Sequence, residues 1–247
     1  MRVEKDQHFL TNKEILEKEI KEAELGKEDR VVEIGAGNGN LTEELSKQAG
    51  NVLAFEIDKK FSKSLEKLEQ EYNNLKIEYK NALNAEWKGY NKIVSNIPYS
   101  LSEPLIMKAV NSDIELLVLI ISEGFKNVLF SESKTGIIAN LFFNIKEISL
   151  VKKESFFPVP KTESWIIKLE RKHQLAETEK IMQNIVKKNG KIKNSIIYSL
   201  VESGKTKNQA REILNKIGLH ESILEKPAKK LTAELIKRIK ENLEKFS

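Results

Sequence analysis

The sequence has no cysteine. Disulfides, thiol nucleophiles and thiolate zinc sites are therefore excluded. Its three histidines, His8, His173 and His220, lack the spacing of metal ligands, and no metal is expected. No run of 18 apolar residues occurs, which excludes a membrane-spanning helix. The start of the chain is charged (Arg2, Glu4, Lys5, Asp6) and has no apolar signal core, so a cytoplasmic protein is expected. There is no low-complexity segment and no internal repeat.

What is present is a chain of 247 residues, 40% hydrophobic, enough for one large α/β domain or a medium domain plus a small one. Charged residues make up 32%, above the usual quarter, and imply a densely charged surface. The formal net charge of +5 is uneven. Residues 173–247 carry 16 Lys and Arg against 9 Asp and Glu, whereas the preceding 172 carry 26 against 28. A basic C-terminal part on a near-neutral body suits a polyanionic partner, although a solvated helical face gives the same count.

Residues 11–25 place Ile15, Leu16, Ile20 and Ala23 at helical spacing, with Thr11 or Asn12 as cap and Gly26 as stop. RVVEI then breaks into GAGNGN. LTEELSKQ reads as a helix, VLAFEID as a strand, FSKSLEKLEQEY as a helix, and KIEY, KIVSN and ELLVLIIS as strands. This alternation predicts βαβ units in a mostly parallel sheet. ANLFFNIKEISLVKKE and WIIKLERK read as strands around the turn FFPVPKTES, an antiparallel pair at one sheet edge. Beyond Lys172 the patterns are helical: IMQNIVKK, IIYSLVES, KNQAREILNKIG and AKKLTAELIKRIKENLEKF. The expected division is an α/β domain over 1–174 and a small all-helical domain over 175–247.

The glycines of GAGNG (Gly35, Gly37, Gly39) stand where a strand becomes a helix. There they let backbone approach a ligand, and the helix start offers free N–H groups. Glu56 closes the next strand about 20 residues on, where an acid accepts ribose hydroxyls. The spacing is GxGxG, not the GxGxxG of dinucleotide binders. Glu33 disfavours a pyrophosphate and suits a cationic amino group, such as the methionine end of S-adenosylmethionine. A tight turn followed by a chance acid is the alternative.

IVSNIPYS ends a strand on Asn96, Ile97, Pro98 and Tyr99. At the carboxyl end of a sheet strand, the Asn96 side-chain oxygen and the Ile97 carbonyl could accept both N–H bonds of a planar exocyclic amine. Pro98 would fix that carbonyl and Tyr99 would stack on the base. A strand-end Asx turn with a packing tyrosine is the alternative.

Taken together, these segments resemble the rRNA adenine N6,N6-dimethyltransferase family over nearly the whole chain. QHFL (Gln7–Leu10) is similar to its N-terminal cofactor motif, VEIGAGNGNLTEEL to its glycine motif, FEID to its ribose motif, NIPYSLSEPL to its catalytic motif and ESFFPVPKTES to its Phe-x-Pro-x-Pro-Lys segment. The resemblance implies a Rossmann-like, S-adenosylmethionine-dependent methyltransferase sheet. It implies cofactor contacts from Gln7, His8, Leu10, Glu33, Gly35, Gly37, Gly39, Glu56, Asn81, Ala82 and Asn96. Asn96, Ile97, Pro98, Tyr99 and Phe156 would form the catalytic set, with Phe156 a second ring near the target adenine. KIKNSI and KPAKKLTAELIKRI resemble the small-subunit branch, linked to ribosome assembly, more than the large-subunit antibiotic-resistance branch. The expected partner is ribosomal RNA or the small subunit, clamped by Lys187, Lys188, Lys191 and Lys193. A monomer is expected.

The chain departs from the family pattern at Asn81, where an aspartate is usual, at Asp6, where a glycine is usual, and in lacking arginines near Asn127 and Ile137. These departures leave two other readings open. One is a methyltransferase acting on large-subunit rRNA. The other is a ribosome-assembly or nucleic-acid-binding factor that keeps the fold without turnover. Phe142, Phe143, Trp87 and Trp165 read as packing residues.

Overall fold

A computed structural model describes residues 7–245; Asp6 and the charged residues before it lie outside the described residues. The chain divides into two compact units, residues 1–127 with 144–171, and residues 128–143 with 172–247. The segment 128–143, read from the sequence as part of the first domain, groups with the second unit.

In the first unit, a short strand β1 (Phe9–Leu10) leads into helix α1 (Lys13–Glu22). Asn12 caps α1, its side chain accepting from the N–H groups of Glu14 and Ile15. The sheet then forms from β2 (Arg30–Ile34), β3 (Asn51–Phe55), β4 (Leu75–Glu78), β5 (Lys92–Asn96), β6 (Leu116–Ser122), β7 (Phe143–Val151) and β9 (Ser164–Arg171). Helices α2 (Asn40–Gln48), α3 (Ser62–Glu71), α4 (Ser102–Val110) and α5 (Glu123–Leu129) intervene, and β8 (Phe156–Phe157) is a short strand before β9. The strand order is β4-β3-β2-β5-β6-β9-β7. Pairs β3·β4, β2·β3, β2·β5 and β5·β6 are parallel, and β6·β9 is antiparallel. This is the expected mixed sheet, with the two late strands together at one edge. One sequence expectation is corrected: residues 139–142 are helical, because α6 (Lys134–Phe142) runs directly into β7. Ile138, Ala139, Leu141 and Phe142 are all buried. A short apolar run of this kind does not separate strand from helix by periodicity.

The core is set by strands buried on both faces. Six of the seven residues of β6 are buried, which explains its unbroken LLVLII pattern. Ile20 and Ala23 of α1 join Val118 and Ile120 of β6 in this core. The C-terminal end of α1 is pinned by Lys92, whose ammonium donates to the carbonyls of Ala23 and Glu24 and to Asp29, and by the Lys168–Glu24 ion pair. Trp87 is buried, as is Phe143 at the start of β7.

The sheet has one feature that places the site. The chain enters at its centre with β2, builds outward to β3 and β4, and returns to the other side with β5. The β2·β5 pairing covers only Val31–Lys92 and Val32–Ile93. Beyond it the Ser95 hydroxyl donates to the Ile34 carbonyl (2.7 Å) and bridges the two strands as they part. A crevice opens at the carboxyl ends of strands at such a reversal of order.

In the second unit, α6 is joined by α7 (Glu177–Lys187), α8 (Ile192–Glu202), α9 (Lys207–Ile217), α10 (Glu221–Leu224) and α11 (Ala233–Glu244). Apolar stripes at helical spacing face inward, including Ile181, Met182 and Ile185 of α7, Ile192, Ile196 and Leu200 of α8, and Ile236, Ile239 and Leu243 of α11. Thr206 and Gln209 form a capping box at the start of α9. No described helix is long and apolar enough to cross a membrane.

Candidate active site

A single cavity at the carboxyl ends of β2, β3 and β5 gathers residues as far as 149 positions apart in sequence, from Gln7 to Phe156. The residues expected from the sequence that line it are Gln7, His8 and Leu10 from the N-terminal segment, Glu33, Gly35 and Gly37 around the end of β2, and Glu56 after β3. Asn81 and Ala82 after β4, Asn96, Ile97, Pro98 and Tyr99 at the end of β5, and Phe156 complete that set. Gly39 is the one the structure does not bring there. It caps α2 at φ +94°, and a Cβ on it would lie 2.5 Å from Leu68 Cδ1 of α3. Its missing side chain makes room for a neighbouring helix.

The glycine turn is held by three neighbours. Gly35 and Ala36 donate to the Phe55 carbonyl (2.8 and 3.0 Å). Glu56, 5% exposed, accepts from the Gly37 N–H with one oxygen and from the Ile57 and Asp58 N–H groups with the other, all at 2.8 Å. The Phe9 ring lies over Gly37, where a Cβ would approach it to 3.0 Å, and the Pro98 ring lies over Gly35, where a Cβ would lie 3.5 Å from Pro98 Cδ. The turn after β2, the N-terminal segment and the loop after β5 thus form one packed unit.

The QHFL segment is positioned by a ribbon that the sequence did not announce. β1 pairs antiparallel with β8, Phe9 opposite Phe157 and Leu10 opposite Phe156. Thr11 donates to the Ser155 carbonyl through both its N–H (2.8 Å) and its hydroxyl (3.0 Å), and His8 Nδ1 meets the Pro158 carbonyl (2.7 Å). Two-residue strands carry too little pattern to be read from sequence.

Asn96 ends β5 opposite Ile120, and its carboxamide makes no hydrogen bond among the described residues. Pro98 holds φ −54° and its carbonyl accepts from Leu101 (2.8 Å). The Tyr99 hydroxyl pairs with Ser164 Oγ (2.7 Å) and its ring stacks near His8, 6.1 Å between centroids. Burial pushes the Tyr99 phenol upward, so it stays neutral. Phe156 is 2% exposed and part of the core as well as of the cavity wall, whereas Phe157 is 71% exposed. Asn81 uses its side-chain oxygen to accept from the Leu83 N–H (2.9 Å).

Sequence reading passed over Glu19. It lies on α1, lines the cavity and is 0% exposed, and neither carboxylate oxygen has a hydrogen-bond partner among the described residues. Glu33, 2% exposed, also has one unpartnered oxygen. Burial, reinforced by Glu33, pushes Glu19 well above the usual carboxylate range. Burial likewise raises Glu33 to about 8, with Glu56 adding to the shift. The signal was in the heptad-like stripe: Glu19 sits four residues from both Ile15 and Ala23, inside an apolar face.

The order of strands, the crevice at the β2/β5 reversal and the glycine turn facing an acid on the next strand place this unit among the α/β methyltransferase folds. The solved dimethyladenosine transferase from Plasmodium falciparum superposes over 96% of this chain and 98% of its own, with a TM-score of 0.66 at 25% identity. The 23S rRNA methyltransferase ErmE shares the fold, with a TM-score of 0.65 at 22% identity over 96% of this chain and 99% of its own. The chain belongs to the ribosomal RNA adenine dimethylase family, whose model matches residues 1–241. Among its relatives, the probable ribosomal RNA small subunit methyltransferase A of Methanococcus aeolicus is 32% identical over 85% of this chain and 83% of its own length. That of Thermococcus gammatolerans is 35% identical over 73% of this chain and 66% of its own.

Proposed function

We propose that this chain uses S-adenosylmethionine to dimethylate N6 of adenines in small-subunit ribosomal RNA. The observation that carries the reading is the Asn96 carboxamide, without a hydrogen-bond partner among the described residues at the end of β5, in one cavity with the glycine turn and Glu56.

The cavity fits this donor. Buried carboxyl oxygens of Glu19 and Glu33 without partners among the described residues suit a cationic amino group, and the absence of a Cβ at Gly35 and Gly37, both of which line the cavity, lets Pro98 and Phe9 close on the glycine turn. Glu56 would accept the ribose hydroxyls, exchanging or sharing its bond to Gly37. Gln7, His8, Leu10 and Ala82 would line the donor, and Asn81 would face its adenine. When bound, the donor supplies an electrophilic methyl on a sulfonium.

For the acceptor, the chain's work is to hold a flat amine. The Asn96 oxygen and the Ile97 carbonyl would take its two N–H bonds and favour a pyramidal nitrogen. Pro98, seated on Gly35, fixes that carbonyl. Tyr99, anchored through Ser164, offers a face for stacking worth ~1–3 kcal/mol per base. The target adenine must come from a loop or be flipped out of its stack. Phe156 would back the pocket, while exposed Phe157 borders the same ribbon. The helical residues 175–247, with their excess of lysine, would clamp RNA phosphates.

The test is labelled donor incubated with unmethylated small subunits, or with naked large-subunit rRNA, followed by mapping of the label. Label on small-subunit adenines is expected, and Asn96→Ala should lower it by at least about 100-fold, an effect of the size seen on deleting one preorganised polar contact, with RNA retention unchanged. Label on the large subunit alone would favour the resistance-type reading. Binding of subunits without label would favour an assembly factor, and full activity of Asn96→Ala would remove that residue from the chemistry.

A further inference from the structure

α1 contributes something to the cavity that the motifs do not. Glu19 reaches it from a helix, not from a strand end, and stands beside Glu33 of β2. Among the described residues neither oxygen of Glu19 is hydrogen-bonded, nor is one oxygen of Glu33, and the buried Thr42 hydroxyl stands beside Glu33 as a donor that partly offsets the effect of burial. An unpaired carboxyl that is fully buried is costly as an ion. A position in the apolar stripe of α1, flanked by Ile15, Leu16, Ile20 and Ala23, would be filled at lower cost by leucine or isoleucine. A buried acid with no partner among the described residues and an open cavity before it is matched to a cation arriving from outside.

We propose that Glu19, together with Glu33, forms the seat for the α-ammonium group at the amino-acid end of the methyl donor, and that a proton held on this pair in the free protein leaves when the ammonium docks. The inference rests on the cavity being the donor site, and it adds a residue and a proton to that reading. The proton balance is closed. The ligand amine arrives as an ammonium and stays one, a carboxyl O–H of the pair ionises, and its proton passes to solvent.

The sign follows from the direction of the shifts. Burial raises both acids in the free protein, Glu33 to about 8, so a proton is held there near neutrality, and a cation alongside lowers both acids again. Ligand therefore binds the ionised form better, so affinity rises with pH as Glu33 ionises near 8, and it falls again at more alkaline pH where the ligand's own ammonium loses its proton. The other titratable groups around the cavity are His8 on the N-terminal segment, Glu56 after β3, Lys80 after β4 and Tyr99 after β5. Of the elements α1 packs on, β6 contributes apolar Val118 and Ile120, and α2 contributes apolar Leu41 and Leu45, its charged Lys47 pairing with Glu43 and Glu44. A difference between the wild type and a Glu19 variant cancels the contributions of those other groups.

The experiment is calorimetry of S-adenosylhomocysteine binding at pH 7 in buffers of different ionisation enthalpy, which counts protons released. 5′-Methylthioadenosine, which keeps the nucleoside but has no ammonium, is the control ligand. The wild type should release a substantial fraction of one proton with S-adenosylhomocysteine and close to none with the control. Glu19→Gln should reduce that release by about half or more and weaken S-adenosylhomocysteine about tenfold, one lost charge-assisted hydrogen bond, with control affinity unchanged. Glu19→Leu guards against misfolding. It should melt at a higher temperature than the wild type, since a buried unpaired acid is replaced by an apolar side chain, yet show the same selective loss. Proton release and affinity unchanged in both variants would overturn the role of Glu19 while leaving the donor site intact. Failure of the wild type to bind S-adenosylhomocysteine would overturn both. Equal loss for both ligands would overturn the ammonium seat in favour of a structural role.

Discussion

The two units treat sequence distance in opposite ways. In the α/β unit, residues as far apart as Gln7 and Phe156 meet at one cavity, drawn together by parallel crossovers and the β1·β8 ribbon. In the helical unit, four lysines within seven positions are separated by the fold into private contacts. Lys187 lies over the Phe142 ring and Lys188 over Tyr198, while Lys191 and Lys193 share Glu225. Proximity in sequence promised a cluster of free charge, and the helices convert half of it into ion pairs with one acid. A motif gains meaning from the element that carries it, and a charge run loses some to its neighbours.

That contrast can be broken most forcefully at the glycines. Gly39→Ala should destabilise the first unit by about 2 kcal/mol, from overpacking against Leu68 and a positive φ. The measurement is a fall in thermal midpoint with affinity for S-adenosylhomocysteine retained in the folded fraction. Gly37→Ala carries a positive φ (+55°) and meets the Phe9 ring at 3.0 Å, so it should also lower the midpoint, but in addition it should weaken ligand in the folded fraction because Phe9 and Gly37 both line the cavity. If Gly39→Ala behaves like Gly37→Ala, the distinction between packing and lining glycines fails.

A smaller effect is expected at Asn81. Its single side-chain oxygen already accepts from Leu83, whereas an aspartate would keep that bond and present a second, charged oxygen to the donor's adenine. Asn81→Asp should tighten S-adenosylhomocysteine by roughly 1 kcal/mol, about fivefold, in a direct titration. Unchanged or weaker binding would show that the oxygen freed by Asp does not face the ligand.

The smallest effect belongs to the helical unit. Glu225→Gln releases Lys191 and Lys193, and the dependence of RNA affinity on salt should steepen by about one unit of slope per phosphate gained. An unchanged slope would place the RNA contact elsewhere on this unit.

Much of the cavity was legible because its chemistry is local: a glycine turn, an acid at the next strand end, and Asn-Ile-Pro-Tyr closing a strand each declare themselves within a few residues. Gly39 misled because glycine has two uses, open backbone for a ligand and absent volume for a neighbour, and the letters are the same. Glu19 was missed because an acid amid Ile15, Leu16, Ile20 and Ala23 looks like a boundary residue until its burial is known. Residues 139–142 read as strand because a short apolar stretch has no period of its own.

By itself the sequence determined the alternation of strand and helix, the mixed sheet, the family and most of the side chains around the cavity, since propensity, periodicity and turn chemistry act over a few residues. Only the tertiary structure decided which acid faces the cavity, which glycine serves packing, how β1 finds β8, and which lysines share Glu225. These depend on desolvation and on contacts between residues distant in the chain, and both exist only once the chain has closed on itself.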